Sequence, residues 1–290
     1  MKLLFKFNLV FIFMLAIGLG ATGYVSWRLL ERNARQEIAE NARLLMDTAL
    51  AARAYTSSQV GPLLETQMKY TFLPQSVPAY SATEVFGDLR KKHTEYNYKE
   101  AVLNPTNPRN RAVDWEADIV TQFRGDKDSK EIVGDRETPT GPSFYVARPI
   151  RISNPACLRC HSTVDAAPKT LVERYGPANG FGWNLNEVVG AQIISVPTTV
   201  PLERANKAFT VFMSSITAVF VVIGILLNVM LYALVIRPIR RLSTFADRVS
   251  LGELEIPEFK RNSRDEIGGL SQSIGRMRTS LVKALKLLDT

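Results

Sequence analysis

Two long runs of uncharged residues decide most of what this chain can fold into. Residues 7–27 and residues 208–236 contain no charged side chain. Each run reaches the ~20 residues that a helix needs to cross the hydrocarbon of a membrane. Lys2 and Lys6 precede the first run, as in a signal peptide, but the run is long for that role and no clear A-x-A cleavage site follows it. The sequence therefore predicts a two-pass membrane protein with an uncleaved N-terminal anchor.

The basic residues predict the orientation. Of a formal net charge of +8, residues 1–6 contribute +2 and residues 237–290 contribute +4. Since basic residues collect on the cytoplasmic side, both termini are expected in the cytoplasm. The predicted segments are a cytoplasmic N-terminus (1–6), a first transmembrane helix (7–27), a periplasmic domain (28–207), a second transmembrane helix (208–236) and a cytoplasmic domain (237–290). The basic charge thus reports topology, and no nucleic-acid partner is predicted.

The most specific motif is Cys157-Leu158-Arg159-Cys160-His161. Two thiols three positions apart with a histidine directly after them form the attachment signature of a c-type haem. Each thiol would close a thioether to one vinyl group, and the imidazole would ligate the iron. The alternatives are a CxxC disulfide or thiol redox pair, and a zinc site, for which only His93 offers a further imidazole or thiolate. We predict one covalent haem c held by Cys157, Cys160 and the proximal ligand His161.

The motif also bears on location. Covalent haem attachment is an extracytoplasmic process in bacteria, which places the middle domain in the periplasm, outside a bacterial inner membrane. This argument is independent of the charge distribution, and the two agree.

The middle domain reads as α+β. A helix is expected from Glu31 to about Gln59, ended by Gly61-Pro62. Its apolar or small residues recur at near-heptad spacing: Ala34, Ile38, Ala42, Leu45, Ala49 and Ala52. This face either packs on its own domain or forms a parallel homodimer.

The remaining elements of this domain are weaker predictions. A helix from Ser81 to about His93 is expected, with Ser81 and Glu84 as a capping box, and a second helix from Trp115 to Phe123. A strand is expected from Ser143 to Ile152, where Pro149 indicates a sheet edge. A short helix from Ala167 to Tyr175 and a final strand from Val188 to Val196 follow. Helices early and strands late are typical of a PAS-like sensor domain.

The C-terminal segment predicts two short helices with heptad seams. The seams are Val235, Ile239, Leu242, Ala246 and Val249, and then Ile267, Leu270, Ile274, Met277, Leu281, Ala284 and Leu288. One chain cannot bury both seams, so a dimeric parallel four-helix bundle is predicted. The alternative is a pair of amphipathic helices packed on another domain or on the membrane surface.

Two stretches resemble known families. Residues 237–290 resemble a HAMP domain, through Pro238, Leu251-Gly252-Glu253-Leu254, and Asp265-Glu266-Ile267-Gly268-Gly269-Leu270 ahead of Met277. Residues of roughly 40–200 resemble extracytoplasmic single-haem c-type sensor domains with a PAS-like fold. The matching stretches are Gln75 to Tyr80, Tyr98 to Ala101, Asn104 to Pro108, Cys157 to His161, Gly180 to Trp183, and Gly190-Ala191.

The resemblance leaves the second axial ligand open. Some members of the family use a cysteine outside the attachment motif, and this chain has none. His93 and Met68 are the candidates, with Met46 behind them, and water or an empty position is the alternative. Methionine ligation would raise the reduction potential, and an open position would admit a gas.

The resemblance implies a membrane-bound haem sensor without catalytic residues. A redox or small-ligand signal at the haem would pass through the membrane to the HAMP domain of a homodimer. No output domain lies between the HAMP segment and residue 290, so the output is expected in a cytoplasmic kinase or chemoreceptor-type partner, or the chain is a shortened receptor. The alternative function is electron transfer by a membrane-anchored c-type cytochrome.

Overall fold

The computed structural model describes residues 3–139, 141–257 and 265–288, and its backbone forms two compact units. One unit is Arg28–Ala208, and the other combines Met1–Trp27 with Phe209–Thr290. The helices are α1 (Leu3–Tyr55), α2 (Gly61–Leu64), α3 (Pro78–Lys92), α4 (Asp114–Gly125), α5 (Leu158–His161), α6 (Lys169–Tyr175), α7 (Thr199–Met230), α8 (Arg237–Ser250) and α9 (Glu266–Leu288). The strands are β1 (Asn97–Val102), β2 (Ile132–Thr138), β3 (Gly141–Arg151) and β4 (Val188–Pro197).

The four strands form an antiparallel sheet in the order β1-β4-β3-β2. Strand β4 lies inside the sheet, and its residues are buried from Val188 to Val196, as its largely apolar sequence requires. Its alternate side chains pack on opposite faces: Ile194 and Val196 belong to a core with α1 and α3, and Ala191 and Ile193 to a core with α4. The predicted α+β class is confirmed.

The near-heptad face of α1 packs on its own domain. Ala34, Ile38, Ala42 and Ala49 are buried, and the last three share a core with Val146, Ile194, Val196, Tyr98, Phe86 and Met46. Ion pairs flank this core, since Arg43 pairs with Glu131 and Arg148 pairs with Asp47. Of the two interpretations of this face, the structure therefore supports packing within one chain.

Three local predictions are wrong in detail. Gly61-Pro62 does not end the helical path: a π-helical turn, Thr56–Val60, leads directly into α2, which contains Pro62. Helix α3 begins at Pro78, because the N–H that a proline lacks has no partner in the first turn of a helix, and Ser81 lies inside α3.

The third correction concerns Pro149, which does not lie in an edge strand. Strand β3 has a neighbour on each side, but β2 pairs with it only up to Ala147. Pro149 therefore faces β4 on one side and no strand on the other, so its missing donor breaks no ladder.

Two helical stretches, Leu4–Leu64 and Thr199–Ser250, contain segments long and apolar enough to cross a membrane, as the sequence predicted. In the unit that holds residues 3–27 and 209–257, the amides of Asn8 and Asn228 exchange two hydrogen bonds of 2.8 Å each. Each amide also donates to the carbonyl four residues earlier, Leu4 and Gly224 respectively. The two membrane helices are thus joined by a fully satisfied polar pair.

The C-terminal helices α8 and α9 form a small core of their own. Phe245, Val249 and Ile256 are buried, with Leu254 and Ile274 packed against them. Asp265 accepts a 2.8 Å hydrogen bond from the Gly268 N–H and caps α9. Residues 1–2, 258–264 and 289–290 of the predicted terminal segments lie outside the described residues, as does the side chain of Leu288.

Candidate functional site

The cysteine motif lies between β3 and α6. Asn154 accepts a 2.9 Å hydrogen bond from the Ala156 N–H and begins a short 3-10 turn, Pro155–Cys157, which leads directly into α5. The Cys157 and Cys160 thiols are free and partly exposed. Burial raises the pKa of Cys160, so this thiol is protonated at neutral pH. Both thiols are therefore accessible and uncommitted within the chain.

His161, the last residue of α5, is held in one orientation and one tautomer. Its Nδ1 lies 2.7 Å from the carbonyl oxygen of Gly180 and 3.4 Å from Oγ1 of Thr106. A carbonyl only accepts, so Nδ1 carries the proton. Burial lowers the pKa of His161, which favours the neutral ring. The lone pair on Nε2, which makes no hydrogen bond within the described part of the chain, is therefore available to a metal.

The ring plane of His161 is fixed by Trp183. The two rings stack with centroids 3.9 Å apart and planes 15° apart. The backbone holds the same pair together, because Trp183 N–H donates to the His161 carbonyl at 3.1 Å and Gly182 N–H donates to the Ser162 carbonyl at 2.7 Å. We call residues 180–183 the strap. It contacts the histidine at Nδ1, on one ring face and at the backbone.

The strap is held by the turn that follows β1. Asn104 Oδ1 accepts from the Gly180 N–H at 3.2 Å, and Asn104 Nδ2 donates to the Phe181 carbonyl at 3.3 Å. Gly180 has φ +87°, and a Cβ there would lie 2.8 Å from Cα of Thr106. Only glycine fits this close approach. The stretches Asn104 to Pro108 and Gly180 to Trp183 were noticed in the sequence only as part of the family resemblance. No functional role was predicted for Asn104, Thr106, Gly180 or Trp183.

The candidate second ligands lie in different surroundings. Met68 is partly buried beside Phe72, Ala167 and Leu171, in a cluster that also contains Phe181 of the strap. Its sulfur accepts from the Leu73 N–H at 3.1 Å and lies 3.4 Å from Oγ of Ser76. The structure thus places Met68 in one cluster with α6 and with Phe181 of the strap.

His93 and Met46 lie elsewhere in the domain. His93 ends α3 with its side chain 53% exposed, and its ring contacts Tyr96 edge to face. Met46 is fully buried in the core between α1 and the sheet. Met46 is therefore explained as a core-packing residue and His93 as a solvent-exposed histidine.

The donors around the motif fit a covalently attached haem. Two accessible thiols lie in the turn that carries a neutral imidazole with its Nδ1 bonded to a carbonyl, and such a bond is the usual outer contact of a metal-ligating histidine. Among the described residues, no group of three or more His, Cys, Asp or Glu side chains could hold a metal ion, so the zinc alternative gains no support. The fit is to haem chemistry.

Comparisons with known proteins place the two parts of the chain. The family model described as Tll0287-like (Tll0287) matches residues 31–197, and that of the HAMP domain matches residues 230–283. A similar solved structure is that of the cyanobacterial heme-protein Tll0287, at 12% identity over 56% of this chain and 95% of that one, with a TM-score of 0.44. No curated protein sequence matches the chain.

Proposed function

The chain belongs to the Tll0287-like family, and we propose that it is a membrane-bound haem c sensor whose signal passes through two membrane helices to a HAMP domain. The observation that carries the proposal is the geometry of His161, directly after two free thiols: its Nδ1 is bonded to the Gly180 carbonyl, which leaves the Nε2 lone pair to a metal. The solved protein that gives the family its name is a heme-protein. The proposed role is sensing rather than catalysis.

In this proposal Cys157 and Cys160 form the thioethers and His161 binds the iron through Nε2. When bound, the haem supplies an iron that can change its redox state or exchange a ligand on the side opposite His161. Burial lowers the pKa of His161 and keeps the imidazole neutral, and the strap fixes its tautomer and its ring plane. The imidazole that would hold the haem cannot turn or change tautomer, so His161 and the strap would couple the haem to the surrounding protein.

We propose Met68 as the second axial ligand. The support is its position in the cluster that includes Phe181, whereas His93 ends a different helix. Ligation would require the sulfur to give up its contacts with Leu73 and Ser76. The segment around Met68 would then move between bound and released states. That segment continues through α2 and the π-helical turn into α1, the helix that leads to the membrane.

The proposed topology follows the charges and the chemistry. Residues 28–207 would lie in the periplasm, where haem is attached, and both termini in the cytoplasm.

A homodimer is supported by α9, on which Leu270, Met277 and Leu281 of the predicted seam remain 41–50% exposed in the single chain. A coupling of roughly 1–3 kcal/mol between haem state and bundle state suffices for a switch. The output partner would be a kinase or a chemoreceptor-type protein.

The first experiment is an absorption spectrum of the full chain, exported together with haem-maturation machinery and purified in detergent. We expect haem that survives denaturation and acid extraction, and that is lost when both cysteines are replaced (Cys157→Ala with Cys160→Ala). A chain that carries no covalent haem under these conditions would overturn the proposal and leave a CxxC thiol domain.

The second measurement tests Met68. We expect a low-spin ferrous spectrum in the unmodified chain, and faster carbon monoxide binding with a lower reduction potential in Met68→Leu. Met46→Leu is the control, since Met46 lies in the core beside α1. If Met68→Leu matches Met46→Leu in both respects, Met68 is a packing residue and the position opposite His161 is filled by something else.

A further inference from the structure

We propose that Asn104 is a positioning residue for the proximal histidine, and that it sets the reduction potential of the site by holding the strap. The inference rests on the proposed function only where haem is involved. It deepens that function by naming a residue outside the motif that tunes it. Asn104 contacts neither the thiols nor the imidazole, so its effect would be exerted through residues 180–183.

The geometry of the Asn104 amide is the basis of this proposal. Its oxygen accepts from the Gly180 N–H at 3.2 Å, and its nitrogen donates to the Phe181 carbonyl at 3.3 Å. These two bonds lie on either side of the peptide group that joins Gly180 to Phe181. The carbonyl of that peptide is the group that His161 Nδ1 approaches at 2.7 Å. Because Asn104 is hydrogen-bonded to the peptide groups before and after this one, it fixes the direction of the Gly180 carbonyl.

Asn104 is itself anchored in the sheet. It follows β1 by two residues, and Leu103 between them donates its N–H to the Val189 carbonyl of the buried strand β4 at 3.2 Å. The neighbouring Pro105 is buried. The strap is otherwise a turn with two glycines at positive φ, Gly180 and Gly182, which have the widest backbone freedom of any residue. The backbone bonds of Gly182 and Trp183 hold the far end of the strap against His161 and Ser162, and Asn104 fixes the end that carries the Gly180 carbonyl.

The chemical consequence follows from the Nδ1 bond. A histidine that donates Nδ1–H to a well-directed carbonyl is a stronger electron donor at Nε2, and it holds one tautomer. Stronger donation stabilises ferric iron relative to ferrous iron. Loosening the carbonyl would weaken the donation, so the potential would rise. It would also allow the imidazole to rotate against Trp183.

Three variants separate positioning from packing. Asn104→Ala removes the amide and its volume, whereas Asn104→Leu keeps nearly the same volume and removes only the hydrogen bonds. Asn107→Ala is the matched control, because Asn107 lies in the same turn and its side-chain oxygen accepts from the Arg109 N–H of that turn. We expect all three to retain covalent haem.

The haem-loaded full chain supplies the first readout. We expect Asn104→Ala and Asn104→Leu to shift the ferric–ferrous equilibrium three- to tenfold toward ferrous, where tenfold corresponds to about 59 mV for one electron. The ferric electron paramagnetic resonance spectrum should broaden as the imidazole plane becomes less defined. Potentials and spectra equal to those of Asn107→Ala would overturn the proposal. If Asn104→Ala shifts the potential but Asn104→Leu keeps the wild-type value, Asn104 acts through packing, and the proposal is wrong.

The second readout needs no haem. The chain contains two histidines, His93 and His161, so the full chain labelled with ¹⁵N-histidine gives two ring systems. At a pH well above the ordinary imidazole pKa of about 6.5, we expect one tautomer, protonated at Nδ1, for His161 in the unloaded protein. Asn104→Leu should give a mixture and leave the His93 signals unchanged. An unchanged tautomer would overturn the proposal even if no haem were ever attached, so its failure is distinguishable from that of the proposed function.

Discussion

At the scale of single residues, Gly180 and Thr106 show why the proximal site depends on close approach. The carbonyl of Gly180 reaches His161 Nδ1 because its backbone passes against Thr106 with no side chain between them. The positive φ of Gly180 adds a second requirement for glycine. A residue with no chemistry of its own thus determines the tautomer of the one that binds iron in the proposed function.

Gly180→Ala should destabilise the domain more than Gly176→Ala. Both glycines have positive φ, so both substitutions introduce backbone strain of about 1–3 kcal/mol. A Cβ at Gly176 meets no atom within 4 Å, whereas one at Gly180 must displace Thr106. The melting temperature of each variant in detergent measures the difference. Equal losses would mean that Thr106 moves aside without resistance.

At the scale of elements, α1 is held on the sheet by a buried polar cluster as well as by its apolar face. Arg53 of α1 pairs with Glu100 of β1, and the Tyr98 hydroxyl donates to the same carboxylate at 2.7 Å. Glu100 is 3% exposed. Burial, and after it the charge of Glu100, raises the pKa of Tyr98, so the phenol remains a donor. The cluster joins the membrane-directed helix to the strand that ends beside Asn104.

Glu100→Ala should destabilise the domain by about 3–5 kcal/mol, because it leaves the partly buried Arg53 without its counter-charge. Asp135→Ala is the control: it removes the ion pair between Asp135 of β2 and Arg35 of α1, whose side chains are 58% and 52% exposed, and should change stability by less than about 1 kcal/mol. Thermal melts of the two variants check this. Similar small losses in both would show that the Arg53 pair is effectively solvated.

The membrane helices give a second prediction at this scale. Asn228→Leu leaves the amide of Asn8 without its partner on α7, so the contact between the helices should weaken by about 0.6–2 kcal/mol. The double variant Asn8→Leu with Asn228→Leu should lose less than the sum of the two single variants. Disulfide formation between cysteines placed on the two helices measures the contact. Additive losses would show that the two amides act independently.

At the scale of the whole molecule, the proposed sensor requires that the iron state alter the packing of a second copy at the HAMP helices. The matched HAMP segment ends beyond Met277, which is 49% exposed on α9. The cysteine motif, Cys157 to His161, lies in the other unit. Only the helices α1 and α7 connect the two units along the chain.

Bismaleimide crosslinking of Met277→Cys in membranes should therefore give different dimer yields in the ferric and ferrous states. In the proposed haem-loaded protein Cys157 and Cys160 would be thioethers, which do not react with maleimide. The difference should shrink when His161→Ala is added, because the redox change then no longer reaches the protein through the imidazole that the strap fixes. Equal yields in both states, together with rapid electron exchange with a soluble cytochrome, would favour the membrane-anchored electron carrier.

The sequence by itself determined the features that depend on local order or composition. The two membrane helices follow from uncharged runs, and α4 and β4 follow from short-range patterning, since each of these rests on neighbours in the chain. The attachment motif is local too, and its donors lie within one turn.

Only the tertiary structure decided what depends on distant partners. Strands β1 and β2 were not predicted from the sequence because they carry charged residues, which indicate an exposed segment. In β1, the charges of Lys99 and Glu100 are balanced by Glu116 and Arg53, which lie elsewhere in the chain. The apolar face of α1 fitted either a partner chain or its own sheet, and packing against β3 and β4 resolved it. The support for His161 comes from residues 104–106 and 180–183, which are far apart in sequence. Long-range contacts leave little periodic signal, so they become visible only when the chain is folded.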